Sequence, residues 1–141
     1  MQDLYQLEHQ ETVSQEYENV LFEGICNESF QAKGMDRIRT FGVFIKDKEK
    51  KFFGGVKGIT YYGCLYVDML WIHTNLRHQG WGTKLMLEAE KIGKERKVSF
   101  ATVNTMDWEA LPFYQKLGYE IEFTREGYEK NSKMFFLRKK L

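Results

Sequence analysis

Residues Arg77–Leu85 read "RHQGWGTKL": a basic side chain, two glycines around a tryptophan, then the opening of a helical pattern. The first amides of a helix have no partner inside it, and the helix dipole places partial positive charge at that end. Glycine lets an anion approach such backbone with no Cβ in the way. The chemistry on offer is recognition of a phosphate or pyrophosphate. Two common glycine loops fail on spacing. A dinucleotide fingerprint needs glycine at position 85, which is Leu85, and the interval leading to Lys84 does not fit a P-loop. From local sequence alone, plain turn glycines remain an alternative.

A second candidate is Asp68, a carboxylate inside the otherwise apolar run "CLYVDMLWIH" (Cys64–His73). Such a group is costly there unless it is paired or used. His73 closes the same run and is a general-base type, or a plain loop histidine. The three histidines and two cysteines form no ligand constellation, so no metal is expected. Cys26 and Cys64 read as reduced thiols of a cytoplasmic protein.

The elements that must position these residues follow from periodicity. Gln15–Ala32 is loosely helical, with Gly24 as a weak point. Arg39–Asp47 and Phe52–Tyr62 flank the charged tip "KDKEKK" as an antiparallel hairpin. Cys64–His73 is almost continuously apolar, as a central strand covered on both faces would be. From Gly80 to about Arg96 the period becomes helical, with Leu85, Met86, Ala89 and Ile92 on the dry side. Val98–Asn104 is strand-like. Asp107 or a neighbour caps a further helix to about Leu117, which Gly118 ends. "YEIEFTRE" and "SKMFFLRKK" close the chain as an antiparallel pair. The strand–helix–strand unit from Cys64 to Asn104 implies a parallel, right-handed crossover within a mixed sheet.

Arg77, Gly80 and Gly82 in R-x-x-G-x-G, with "LWIHTNLRHQGWGTKL" before and "NTMDWEALPFYQKLGYE" after, resemble the GNAT superfamily of N-acetyltransferases. The likeness runs from about Arg39 to the C-terminus and is densest from Cys64 to Tyr119. Thr74 departs from it, where the family usually has proline. The resemblance implies a mixed α/β, mostly antiparallel sheet with a central splayed parallel pair and helices on both faces, as one domain over 1–141. It implies acetyl-coenzyme A as co-substrate, its pyrophosphate on the amides from Arg77 to Thr83 through His78, Gln79, Gly80, Trp81 and Gly82. Arg77 then pairs a phosphate or braces the loop. Leu70, Trp71 and Ile72 would lie along the pantetheine arm, with the Ile72 N–H polarising the thioester carbonyl. Tyr114 would be the acid that protonates the leaving thiolate, against the alternative of a packed aromatic. Asn104 would contact the coenzyme or cap its strand. The base is less legible: Asp68 leads, with His73, Glu28 and Glu109 behind it.

Composition sets the limits. At 141 residues, 43% hydrophobic and 16% aromatic, the chain supports a packed core. A net charge of +1 gives no pull toward nucleic acid or an anionic membrane, and no run is long enough to span one. The expected activity is acetyl transfer from acetyl-CoA to a small-molecule or peptide amine, by direct attack in a ternary complex. The alternative is a coenzyme-binding sensor or interaction module without catalysis. Tyr17, Phe22 and Phe30 are expected on the acceptor side. "MFFL" (Met134–Leu137) reads equally as a core strand or as a homodimer contact.

Overall fold

The computed structural model describes residues 4–141. It divides into an N-terminal unit up to Arg37 and a larger unit from Ile38 to Leu141. The first unit is built around one helix, α1 (Gln15–Lys33). Ser14 caps it by accepting from the Tyr17 N–H at 3.2 Å. Gly34, at φ +63°, ends it with its N–H on the Phe30 carbonyl. Gly24 stays helical. Arg37 grips Glu23 through both of its terminal nitrogens, at 2.9 and 2.6 Å. Tyr17, Val20, Leu21 and Ile25 are exposed, so their spacing marks a helix and not a core stripe.

The second unit is a six-stranded sheet with two helices. Its elements are β1 (Arg39–Lys46), β2 (Phe52–Tyr61), β3 (Cys64–Ile72), α2 (Trp81–Glu95), β4 (Phe100–Met106), α3 (Leu111–Lys116), β5 (Glu120–Tyr128) and β6 (Ser132–Lys140). The spatial order is β1-β2-β3-β4-β6-β5. Only β3 and β4 pair in parallel, joined by the α2 crossover; every other pair is antiparallel. The last strand therefore sits inside the sheet. Met134–Leu137 is paired on both edges and Leu137 is buried, so "MFFL" belongs to a core strand.

One face of the sheet carries the core. Leu65 and Val67 of β3, Ala101 and Val103 of β4, and Leu137 of β6 meet Leu85, Met86 and Ala89 of α2 and Tyr114 of α3. The α2 stripe follows the helical period, and Lys84, Glu88, Lys91 and Glu95 stay wet. Cys26 and Cys64 are both free and buried.

Two elements depart from the sequence reading. The helix expected from Asp107 begins at Leu111. Residues 107–110 form a turn instead, because Glu109 Oε1 takes the Met106 N–H at 2.9 Å and Thr105 Oγ1 takes the Ala110 N–H at 3.2 Å. Those bonds satisfy amides that a longer helix would have needed to cap. Nor is β3 covered on both faces throughout, since Met69 and Trp71 are exposed.

Candidate functional site

The central pair starts together and then separates. The β3–β4 ladder runs over Cys64–Val67 and Phe100–Val103 and stops, although β3 continues to Ile72 and β4 to Met106. At that point β3 also carries a bulge: Lys57 of β2 faces Met69 and Gly58 faces Val67, which leaves Asp68 as the extra residue. A bulge adds local twist and shifts side-chain parity by one. Leu65 and Val67 face the core before it; Leu70 and Ile72 pack against the same core after it. Asp68 is thus at a kink, half-exposed, 3.3 Å from Lys57 Nζ. Asp68 is not enclosed by the apolar run: alternation from Val67 already turns it off the core face, where it pairs with Lys57, and the bulge brings Met69 out beside it and returns Leu70 and Ile72 to the core.

Between the separating strands lies a cleft. Its inner part, about 350 Å³, is bounded by Asp68, Trp71, Asn104 and Tyr114. A further part of about 520 Å³ is bounded by Ile72, Arg77, Gly80 and Thr83. Leu70, Glu109 and Ala110 line both, so the two parts adjoin. The backbone of β3 is aimed into it. The His73 N–H donates to Phe53 of β2 at 2.8 Å. Antiparallel alternation then turns the polar groups of Leu70 and Ile72 the other way, toward the gap that β4 has left.

The outer end is the glycine loop. Thr74–Leu76 form a short 3-10 turn, His78 and Gly80 take positive φ (+61° and +85°), and α2 begins at once. The first bond inside α2 is from the Lys84 N–H to the Gly80 carbonyl at 3.1 Å, and no side chain caps the helix. The amides of Trp81, Gly82 and Thr83 are therefore left without an acceptor inside the helix. The two glycines have different reasons to be there. A Cβ on Gly80 would meet nothing within 4 Å, so its left-handed backbone is what requires glycine. A Cβ on Gly82 would stand 3.1 Å from the Phe113 ring, so there the requirement is close packing onto α3.

Bracing groups hold the loop. Arg77 Nε donates to the Ile72 carbonyl at 2.9 Å, which favours the bracing role through that nitrogen. Gln79 Nε2 donates to the Asn75 carbonyl, and His73 Nδ1 accepts the Asn75 N–H. Neither Gln79 nor His73 lines the cleft. His78 and Trp81 border its outer part, and Lys84 Nζ lies 4.5 Å from the centre of the Trp81 ring.

At the inner end Tyr114 is buried. Among the described residues its hydroxyl has no hydrogen-bond partner, and no sealed orphan polar atom occurs, so the hydroxyl opens to the cleft. Burial, reinforced by the Glu109 carboxylate, pushes the phenol up to about 12. It is neutral, and a donor, at any ordinary pH. Phe113 and Tyr119 meet its ring edge-on at 5.1 and 6.0 Å. Tyr119 is anchored in turn, its hydroxyl donating to Glu90 Oε2 at 2.8 Å while Lys139 Nζ holds Glu90 Oε1 at 2.8 Å. This buried group was missed in the sequence. The available signal was that Glu90 lies four residues from Met86 on the dry side of α2. Asn104 borders the cleft with its amide 3.5 Å from the Tyr66 hydroxyl. Among the described residues, no group of three or more His, Cys, Asp or Glu could hold a metal, and no helix is long and apolar enough to cross a membrane.

Comparison with known proteins places this fold in a family. The model of the acetyltransferase (GNAT) family matches residues 1–119. The chain belongs to the GNAT family. It is 32% identical over 81 residues to acetyltransferase Atu2258 of Agrobacterium fabrum, a match that spans 57% of this chain and 59% of that protein. The chain therefore matches less than two thirds of that relative's length. A crystal structure of a putative acetyltransferase from Agrobacterium tumefaciens superposes with a TM-score of 0.83 at 23% identity, over 97% of this chain and 100% of that one. A putative streptothricin acetyltransferase from Bacillus anthracis, solved in complex with acetyl coenzyme A, gives a TM-score of 0.65 at 16% identity, over 72% of this chain and 62% of that one. Both likenesses support the GNAT fold of this chain.

Proposed function

We propose that this GNAT protein transfers an acetyl group from acetyl-coenzyme A to a primary amine by direct attack in a ternary complex. The observation that carries the reading is the pair of adjoining cavities, with three uncapped helix amides at one end and the Tyr114 hydroxyl at the other. A pyrophosphate suits the amides of Trp81, Gly82 and Thr83. A pantetheine arm, itself a chain of amides, suits the gap-facing backbone of Leu70 and the Ile72 N–H as an added strand would, the Ile72 carbonyl being held by Arg77.

The co-substrate supplies an activated thioester; the chain supplies the environment. The Ile72 N–H, turned into the gap, is placed to donate to the thioester oxygen as negative charge develops there. As the amine nitrogen bonds to the carbonyl carbon, the carbon–sulfur bond breaks and the thiolate takes a proton from Tyr114. A phenol near 12 is a weak acid against a thiol of ordinary pKa about 8.5. Tyr114 therefore works first as a hydrogen-bond donor to sulfur, and proton transfer follows to the extent that the same dry site raises the thiol. Asp68 is the proposed acceptor of the amine proton, directly or through a water. It borders the cleft, and its charge is felt by the Tyr66 phenol, which burial and Asp68 together push up.

Thermal unfolding with acetyl-CoA, and with ATP as control, tests the binding. At about 100 times Kd, acetyl-CoA should add roughly 2.7 kcal/mol of stability. Thiol release with a panel of primary amines tests the transfer. Equal shifts with ATP and acetyl-CoA would sink the coenzyme assignment; binding without thiol release for any amine would leave a coenzyme-binding module.

A further inference from the structure

The sheet face turned away from α2 and α3 carries a trough of about 390 Å³ that the proposed mechanism does not use. Strand alternation places Tyr66, Thr102, Asn104 and Phe136 on it, opposite the core residues Leu65, Ala101, Val103 and Leu137. Register then defines a row across the strands. Asn104 of β4 faces Phe136 of β6, and Phe136 faces Phe123 of β5. The two rings lie 5.9 Å apart. Asn104 borders both this trough and the inner cleft, so the row begins where the thioester would be attacked.

Arg125 stands over the far end. Its guanidinium carbon is 4.9 Å from the centre of the Phe136 ring and 5.9 Å from that of Phe123. Among the described residues no carboxylate lies within salt-bridge distance of it. The position a cationic ligand would take over these rings is thus occupied by the protein's own cation, which offers its donors to an anion. Planar guanidinium donors match a carboxylate in a two-pronged geometry.

The other charges are sorted along the trough. Glu122, the extra residue of a bulge in β5, also lines the trough, and the pairing of Glu120 with Arg138 sets it toward the end away from the cleft. Arg125 faces Met134, which faces Met106 at the cleft end of β4. Asp68 is on the amine side of the cleft, tied to Lys57.

We propose that this trough holds the acceptor, and that the acceptor is an amine carrying a carboxylate, with its acid on Arg125 and its body on Phe136 and Phe123. The inference rests on the acetyl-transfer reading and narrows it. Asn104 and Phe123 are two strands apart, and Arg125 leans back over the middle one. Amine and acid are then separated by one to two strand spacings, roughly 5–10 Å. A ring or short apolar chain between them fits the aromatic floor.

Two probes of that span test it: 3-(aminomethyl)benzoate and 3-(aminomethyl)benzamide, which differ in the charge. In thiol release with acetyl-CoA the carboxylate should have kcat/KM about 10- to 100-fold higher, the range for a charge-assisted hydrogen bond. Arg125→Gln should bring the ratio near one without changing the KM for acetyl-CoA, and Arg125→Lys should keep several-fold of it. Equal kcat/KM for the two probes, or a preference that survives Arg125→Gln, overturns the inference while acetyl transfer stands. If neither probe nor any other amine releases thiol, acetyl transfer falls, and unfolding of the coenzyme A-saturated protein decides the inference separately. The carboxylate probe should then raise Tm in the wild type and not in Arg125→Gln, and equal Tm with the two probes overturns it.

Discussion

Over Cys64–Val67, β3 is bonded to β2 on one edge and to β4 on the other, and Leu65 and Val67 are sealed from water. From Asp68 to Ile72 the same strand keeps β2 and loses β4, and Met69 and Trp71 come to the surface. Both halves draw on the same pool of apolar and β-branched residues. What separates them is one added residue, Asp68, and the twist it imposes. The closed half satisfies its backbone internally and contributes stability. The open half leaves polar backbone groups facing a cleft, which is a cost in the free protein and a recognition surface for an amide-rich ligand. It stays ordered because β2 holds one edge and Leu70, Ile72 and Phe113 pack beneath it on the core.

The largest expected contrast comes from the open half. Tyr114→Phe should lower kcat by about 10²–10⁴, roughly 3–5 kcal/mol in the transition state, while Tm barely moves because the hydroxyl opens to the cleft and bonds to none of the described residues. A large fall in Tm with unchanged kcat would make Tyr114 a packing residue and nothing more. In the closed half the pattern should invert. Leu65→Ala removes a fully buried side chain and should cost about 2–5 kcal/mol in denaturant unfolding, with the KM for acetyl-CoA unchanged below the transition. If acetyl-CoA affinity fell in step with stability, the two halves would not be separable.

Asp68→Asn tests the residue at the junction. An exposed pair with Lys57 is worth at most about 1 kcal/mol of stability. As the proton acceptor, Asp68 should by contrast carry about 10² in kcat/KM at pH 7, recovered at high pH as the amine loses its own proton. A tenfold or smaller effect with no pH recovery would remove it from the mechanism. Gly82→Ala should be smaller again, about tenfold in acetyl-CoA affinity, since the new methyl must displace the Phe113 ring from α2. The pH dependence of stability is the mildest test. Tyr114 is raised from about 10 to about 12 on folding, so its contribution is complete below pH 10 and is lost as pH rises toward 12. Tm should fall across that window, and Tyr114→Phe should shallow the slope.

Much of this was legible in one dimension. The α2 stripe, the β1–β2 hairpin and the stop at Gly118 are local patterns, so periodicity and turn chemistry were enough. Arg77, Gly80 and Gly82 announced the loop because a helix start carries its own charge and its own vacancies. Residues 107–110 were misread as helix because the bonds that make them a turn come from the Glu109 and Thr105 side chains, which no period reports. Glu90 was passed over because a charged residue beside an apolar stripe ordinarily stays wet; its partners, Tyr119 and Lys139, lie far along the chain.

The sequence by itself determined most of the helices and strands, the short run before α3 excepted, and that one pair would be parallel; it also pointed to the start of α2 as an anion-suited end. Those follow from side-chain period and from backbone groups within a few residues of one another. Where the parallel pair opens, that Leu70 and Ile72 and not Met69 and Trp71 face the core, why Gly82 must be small, and that Arg125 stands over Phe136 and Phe123 were decided only by tertiary structure. Each depends on strands brought together from distant parts of the chain, and a single bulge is enough to reverse which face a residue takes.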